Sequence, residues 1–335
     1  MKRRRDEAAA TAESLLEPLL SLHAGIRDAV VDACKRQASE QLARPAGDEG
    51  DTIYAIDRVG EVALVRGLGD VARHDPVCVV AEGIATPLIL PRAARENDCR
   101  WRLLVDPLDG TRGLMYQKRS AWILTGVAPN RGAATRLSDI ELAVQTEIPL
   151  LKQHLSDQLW AQRGKGMKAR RHNRLTGAEA SEPLALRGSA ASTIEHGFAT
   201  VVRFFPGARE ILGAIDDDVM HALVQPQARR AATFEDQYAS TGGQLYELIA
   251  GHDRFIADLR PLVTRDGLCC HPYDLCTALI ALESGVIITD PSGARLDAPL
   301  DLTSDVAWVG YANERLRTSI EPVLQAALRR RGLLK

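Results

Sequence analysis

No stretch of the 335-residue chain approaches the uninterrupted apolar length that a membrane-spanning helix needs. An excess of charge is also missing: 42 Lys and Arg stand against 44 Asp and Glu, a formal net charge of −2. A dedicated nucleic-acid binder usually carries a basic excess. The balance argues against that class and leaves small anionic substrates open. The six cysteines, Cys34, Cys78, Cys99, Cys269, Cys270 and Cys276, include no CxxC pair and no metal-ligand spacing. Cys78 and Cys276 sit in apolar runs as small core residues. The adjacent Cys269 and Cys270 read as core or loop filling rather than as a vicinal pair. The opening "MKRRRDEAAATAESLLEPLL" starts basic, like a secretory leader, but Asp6, Glu7, Glu13 and Glu17 interrupt the apolar region a leader requires. No internal repeat and no low-complexity tract occurs. The expectation is a cytoplasmic protein without a membrane or nucleic-acid partner. Its one notable basic cluster, "KARRHNR" (168–174), is expected to be a solvated hairpin end.

Apolar residues make up 45% of the chain, ample for a large core. Leu15, Leu19, Leu22, Ile26, Val30 and Ala33 recur at three- and four-residue steps and predict helix over 8–37. A second helix follows, with Ile56, Val59, Val62, Ala63 and Leu64 on its face. "VCVVAEG" (77–83), "WRLLVDPLDG" (101–110), "AWILTGVA" (121–128) and "DIELAVQTEI" (139–148) predict strands, and "DQLWAQRGKGMKA" (157–169) a strand with a tight glycine turn. Beyond Arg187, "TVVRFF" (200–205), "DRFIADL" (253–259) and "VIITD" (286–290) predict strands. "GGQLYELIAG" (242–251) and "YDLCTALIALESG" (273–285) predict helices, the latter closed by Gly285. "AREILGAIDDDVMHALV" (208–224) mixes helical periodicity with acidic turn material. The expected organisation is an α/β chain: an α+β half over 1–187 and an α/β half over 188–335.

Several apolar elements start or finish in carboxylates. Glu82 follows "VCVVA", Asp106 and Asp109 follow "RLLV", Asp274 opens an apolar helix, and Asp57 lies beside Ile56 and Val59. Each has a plain reading when taken alone. "DPLDGT" is what a tight turn uses, Asp274 suits a helix N-terminus, and Glu82 is a loop acid. If the ends converge, however, so many carboxylates would repel and some would stay protonated. Two or three divalent cations resolve this, and an all-oxygen donor set suits Mg²⁺. Such a pair of cations can activate water and stabilise a phosphate leaving oxygen. Within "DPLDGT", Pro107 pushes Asp106 into an extended conformation. The turn then sets Asp106 and Asp109 on one side, lets the Leu108 carbonyl face inward, and starts a helical turn at Gly110-Thr111 whose free N–H groups suit an anion.

Taken together, these segments resemble the inositol monophosphatase-like superfamily of Mg²⁺-dependent, lithium-sensitive phosphatases. "DTIYAIDRVGE" is similar to the early family segment, with Asp51, Asp57 and Glu61 at the expected spacing. "VVAEG" is similar to the strand end with a metal-binding glutamate, and "DPLDGT" to the most specific family signature. "WAQRGKGM", "STGGQLYELIAG" and "YDLCTALIALESGVIITDPSG" follow in family order, so the likeness runs from about residue 15 to 310. It implies a layered αβαβα sandwich of the inositol monophosphatase/fructose bisphosphatase type. It also implies two or three Mg²⁺ ions, held by Glu82, Asp106, Asp109, Asp274 and the Leu108 carbonyl. Thr111 with Asp57 and Glu82 would orient the attacking water. Gly110 and Thr111, with Ser240, Thr241 and Gly242 on the substrate-side helix, would meet the phosphate. Family members commonly form homodimers.

Three departures stand out. Gly83 takes the place of a frequent second Glu, Tyr273 that of the usual Trp, and the 260–272 loop is longer than in small members. In that loop Arg260, Arg265 and His271 either bind a second phosphate or acidic group or are solvated. The function implied is hydrolysis of a small phosphorylated metabolite, an inositol phosphate or a sugar phosphate. The alternatives are a 3′(2′),5′-bisphosphate nucleotidase, to which "DGTRGL" has some likeness, and a non-catalytic binding relative.

Overall fold

The structure, a computed structural model, describes residues 11–47, 52–73, 75–179, 184–224, 228–264 and 267–335. Asp51 and Arg265, and residues 1–10, lie outside the described residues. Helix α1 spans Leu16–Arg36, with Pro18 in its first turn, where a missing N–H breaks no ladder bond. Leu19, Leu22, Ile26 and Val30 are buried along one side, as their spacing predicts. A short helix α2 (Ser39–Leu42) and a ribbon of β1 (Pro45–Gly47) and β2 (Ile53–Tyr54) lead into α3 (Ala55–Val71). Ile56, Gly60, Leu64 and Leu68 form the four-residue row that α3 buries. Val62, expected on that face, lies off the row and is 56% exposed.

The chain continues through β3 (Val77–Ala81), β4 (Leu88–Leu90), β5 (Trp101–Asp109), α4 (Thr111–Met115), β6 (Ala121–Pro129), β7 (Leu142–Ile148), β8 (Leu155–Gln162), β9 (Met167–Asn173) and β10 (Ala178–Glu179). Strands β3 to β10 form one eight-stranded sheet in the order β10-β9-β8-β7-β6-β5-β3-β4. Strands β3 and β5 run parallel. Leu103 and Val105 pack towards α1 and α3, while Leu104 packs on the opposite face with Trp122 and Leu124. Burial on both faces explains why this strand is an unbroken apolar run.

The remainder is β11 (Phe198–Val201), α5 (Arg209–Leu223), α6 (Thr241–Ala250), β12 (Asp253–Asp258), α7 (Arg260–Val263), α8 (Ala278–Glu283), β13 (Ile287–Thr289), β14 (Trp308–Tyr311) and α9 (Glu314–Arg330). Its four strands order as β11-β12-β14-β13. Helices α1 and α3 cover the outer face of the large sheet, α6 and α8 lie between the sheets, and α5 and α9 pair outside the small one. This is an αβαβα sandwich. Its inner core draws on both sheets, from Leu104 and Trp122 to Phe255 and Trp308.

Three expectations change. The helix predicted over 273–285 is split into a 3₁₀ turn, Pro272–Leu275, and α8. Asp274 Oδ2 folds back to accept the His271 N–H at 2.6 Å, and the Thr277 hydroxyl donates to Gln145 Oε1 at 2.9 Å, which together hold the turn off the helix. Asp216, Asp217 and Asp218 lie inside α5 rather than in a turn. Asp216 pairs with Arg203, and Asp218 with Arg330 and Arg331. The 168–174 cluster is bonded into the sheet rather than solvated. Arg171 grips Asp157 with two hydrogen bonds, Arg170 donates to Gln158 Oε1, and Arg174 caps the Leu150 and Gln153 carbonyls. All six cysteines are buried thiols.

One buried base sits in the interface between α1 and the large sheet. His23 is fully buried, with Nε2 2.8 Å from Thr125 Oγ1 and Nδ1 3.0 Å from Thr146 Oγ1. Burial pushes its pKa down to about 3. The unfolded chain therefore takes up this proton first. The stability that neutral His23 allows is complete above about pH 6.5 and is lost as pH falls towards 3. The expected loss at pH 4.5 is on the order of 3 kcal/mol. In chemical unfolding at pH 7.5 and 4.5, wild type should lose about that much more than His23→Gln. Equal losses in the two proteins would refute the assignment.

Candidate active site

Because β3 and β5 are parallel and in register, Ala81 lies opposite Val105, and the next residues, Glu82 just past the end of β3 and Asp106 still within β5, come side by side. The Glu82 N–H still donates to the Val105 carbonyl at 3.0 Å. Residues three apart on a regular strand face opposite ways. Here Asp106 pairs with Leu124 and Asp109 with Trp122, so one extra residue bulges out between them. The bulge, at Pro107 and Leu108, turns both aspartates to the same side. Asp106 Oδ1 accepts the Leu108 N–H at 2.9 Å and holds the bend.

Asp274 arrives from the 3₁₀ turn, and carboxylate oxygens of Asp106, Asp109 and Asp274 lie within 4.8 Å of one another. Asp109 Oδ2 accepts from Ser240 Oγ at 2.8 Å and from the Gly242 N–H at 2.6 Å, which seats it on the N-terminus of α6. Gly110 follows at φ 94°, and a Cβ there would lie 3.0 Å from Ser240 Cβ, so only glycine fits. Thr111 Oγ1 is 2.7 Å from Asp57 Oδ1 and 2.9 Å from the Leu108 carbonyl, and Asp57 Oδ2 accepts the Tyr54 N–H at 2.6 Å. Apart from Gly242, these groups border one cleft of about 830 Å³.

Burial is the main influence on the acids. It pushes Glu82 up to about 8, assisted by the charges of Asp274 and Asp57. Asp109 is pushed up to about 7, assisted by Asp274, and Asp106 well above its ordinary range, assisted by Glu82 and Asp109. Asp57 is pushed up to about 6, partly opposed by the Thr111 hydrogen bond. Carboxylates that are this close and this costly to ionise fit a hard divalent cation. The donors are oxygens only, as Mg²⁺ or Mn²⁺ prefers and zinc does not require.

The structure thus brings Asp57, Glu82, Asp106, Leu108, Asp109, Gly110, Thr111 and Asp274 to one cleft. Ser240, Thr241 and Gly242 stand at the N-terminus of α6, beside Asp109. Ser240 and Gly242 donate to Asp109, the Gly242 carbonyl accepts from Gln145, and the Thr241 hydroxyl lies 3.7 Å from Cys270 Sγ. Only Ser240 and Thr241 border the cleft. Their donors are spent on a carboxylate because that carboxylate occupies the helix N-terminus. Arg260 is not solvated: it forms two hydrogen bonds to Asp258, donates to the Leu268 carbonyl, and sits 4.5 Å over the Phe204 ring. His271 Nδ1 is 3.0 Å from the Ser304 carbonyl.

Sequence reasoning missed the far wall of the cleft. Phe204 and Phe205 stand there edge to face at 4.7 Å, with the Arg112 guanidinium 4.9 Å over Phe205. The doubled Phe at the end of "TVVRFF" was the available signal, in a chain where aromatics total 4%.

The five-layer αβαβα sandwich is shared with three solved structures over nearly the whole of their chains. Extragenic suppressor protein suhB from Bartonella henselae superposes with a TM-score of 0.64, over 93% of this chain and 98% of that one, at 17% identity. Hypothetical protein PH1897 from Pyrococcus horikoshii, described with similarities for inositol-1 monophosphatase, gives 0.60 over 93% and 99%, at 16% identity. The fructose-1,6-bisphosphatase of Leishmania major gives 0.66 over 94% and 93%, at 12% identity. These likenesses establish the fold. No protein-family model and no curated protein sequence matches the chain. Among the described residues no helix is long and apolar enough to cross a membrane.

Proposed function

We propose that this protein is a divalent-cation-dependent phosphomonoesterase acting on a small phosphorylated metabolite. The observation that carries the reading is the meeting of Asp106, Asp109 and Asp274 within 4.8 Å, in the cleft that holds the Thr111–Asp57 pair. Two of its structural neighbours are named for, or likened to, sugar or inositol phosphatases. The retained carboxylates favour an enzyme over a non-catalytic relative.

In this reading Glu82, Asp106, Asp109, Asp274 and the Leu108 carbonyl would hold the Mg²⁺ ions. When bound, the ions supply positive charge that lowers the pKa of water and offsets charge on the leaving oxygen. The chain's own groups do the remaining work. Thr111 Oγ1 passes its proton to Asp57 Oδ1 and so presents a lone pair to the attacking water. Asp57, with a pKa of about 6, is ionised at neutral pH and takes up the proton. The Tyr54 N–H keeps the carboxylate oriented. The N–H groups at Gly110 and Thr111 face the phosphate oxygens. No covalent phosphoenzyme forms.

An inositol or sugar phosphate is the first substrate reading. The Phe204–Phe205 wall favours a second, a nucleotide such as a 3′(2′),5′-bisphosphate, whose flat base suits aromatic rings. The test is phosphate release from a panel of inositol, sugar and nucleotide phosphates with Mg²⁺. On the best substrate, Thr111→Val should lower kcat by about 100-fold or more with KM little changed. No release from any panel member, or full kcat in Thr111→Val, would count against the reading.

A further inference from the structure

We propose that Gln145 is a positioning residue of the active site: through Gly242 and Thr277 it fixes the spacing of Asp109 and Asp274. This rests on the phosphatase reading of the cleft. Asp106 on β5 pairs with Leu124 on β6, and Leu124 with Gln145 on β7. Partners directly opposite one another in a sheet project from the same face. Gln145 therefore points, like Asp106, towards the layer of α6 and α8, but it stands two strands away, behind the cleft rather than on its border.

Gln145 is fully buried, and both ends of its amide are used. Nε2 donates to the Gly242 carbonyl at 2.8 Å, and Oε1 accepts from the Thr277 hydroxyl at 2.9 Å. Each partner leads directly to a carboxylate. The Gly242 N–H donates to Asp109 Oδ2 at 2.6 Å. Thr277 follows the turn that carries Asp274 and stands just before α8, where a threonine hydroxyl ordinarily accepts an N–H of the first helical turn. It makes no such bond here and gives its proton to Gln145 instead. Both supports also press on β6, two residues apart. A Cβ at Gly242 would lie 2.5 Å from Leu124 Cδ2, and one at Gly126 would lie 2.7 Å from the Cys276 carbonyl oxygen. Gln145 is the side chain that joins them. The reason for such a link is electrostatic. Asp109 and Asp274 reach within 4.8 Å of each other and repel when ionised without a cation. A lysine or arginine in this place would compete with the cation for their charge. A neutral amide holds both supports and leaves both charges to the cation.

The test is Mn²⁺ binding to EDTA-stripped full-length protein, followed by the loss of the free Mn²⁺ signal in electron paramagnetic resonance, with thermal melts of the same samples. Gln145→Leu, which keeps the bulk and removes both bonds, should bind Mn²⁺ at least about 10-fold more weakly than wild type. Thr277→Val removes one bond at constant shape and should weaken binding about 3-fold, half of that effect on a logarithmic scale. The double variant should bind no more weakly than Gln145→Leu alone, because both changes cut one link. Leu324→Ala, a core truncation on α9 outside the small sheet, should melt lower than wild type yet bind Mn²⁺ as tightly. Wild-type affinity in Gln145→Leu overturns the proposal, or in Thr277→Val should Gln145→Leu not fold. So does a weakening in Leu324→Ala equal to that in Gln145→Leu, since affinity would then follow stability alone. Wild type that binds no Mn²⁺ at all overturns the phosphatase reading itself, which distinguishes the two failures.

Discussion

Asp106→Asn should lose phosphate release by more than about 100-fold, since even residues that only support a metal ligand cost 10–100-fold. The substitution should spare the fold. Asp106 Oδ1 accepts the Leu108 N–H, and an asparagine oxygen in the same place can accept it too, so the bend between Asp106 and Asp109 is kept. What disappears is a carboxyl whose ionisation is opposed by burial first and then by the charges of Glu82, Asp109 and Asp274. Two results should therefore move in opposite directions. Activity with Mg²⁺ collapses, while the cation-free variant melts higher than cation-free wild type at pH 8.5. A destabilised, inactive variant would point to a structural role for Asp106, and an active one would remove it from the cation site.

Protein stripped of cations should be markedly less stable at pH 8.5 than at pH 6. Glu82, with a pKa of about 8, and Asp109, with one of about 7, hold their protons more tightly in the folded than in the unfolded chain. The stability this confers is complete below about pH 4 and is lost as pH rises through 7 and 8. His23 acts in the opposite sense and only weakly, since the unfolded chain's imidazole is partly protonated at pH 6 while the folded one stays neutral. Between pH 6 and 8.5 the loss should be on the order of 3 kcal/mol, a fall in Tm of roughly 5 °C. Mg²⁺ should restore most of it at pH 8.5 and do much less at pH 6, where protons still occupy the carboxyls. Thermal melts over both pH values, with and without Mg²⁺, decide this. A melting temperature flat between pH 6 and 8.5, or a Mg²⁺ shift equal at both, would show that these carboxyls do not form the binding site.

The parts of this architecture that depend on local rules were legible beforehand. Leu19, Leu22, Ile26 and Val30 announce α1 by spacing alone, and the run from Leu103 to Val105 announces a strand buried on both sides. The candidate acids stood out as a group, as carboxylates at the ends of several apolar elements, while each taken alone reads as a turn, cap or loop acid. What stayed hidden depends on contacts distant in sequence. The parallel register that sets Glu82 beside Asp106 is a pairing between strands, and neither strand encodes it alone. Asp109 takes the donors of Ser240 and Gly242, 131 and 133 residues away, a pairing that no local pattern announces. Arg260 looked like a loop cation until Asp258 and the Phe204 ring were seen to enclose it.

The central claim, that the Asp106, Asp109 and Asp274 cluster makes this chain a cation-dependent phosphomonoesterase, is tested most directly by one titration. EDTA-stripped protein would be assayed for phosphate release from the best substrate of the panel as Mg²⁺ is added back. The account predicts no release without the cation and a saturable recovery with it, which Asp106→Asn fails to show. Release that is undiminished in the stripped protein, or recovery that proceeds equally in Asp106→Asn, would contradict it.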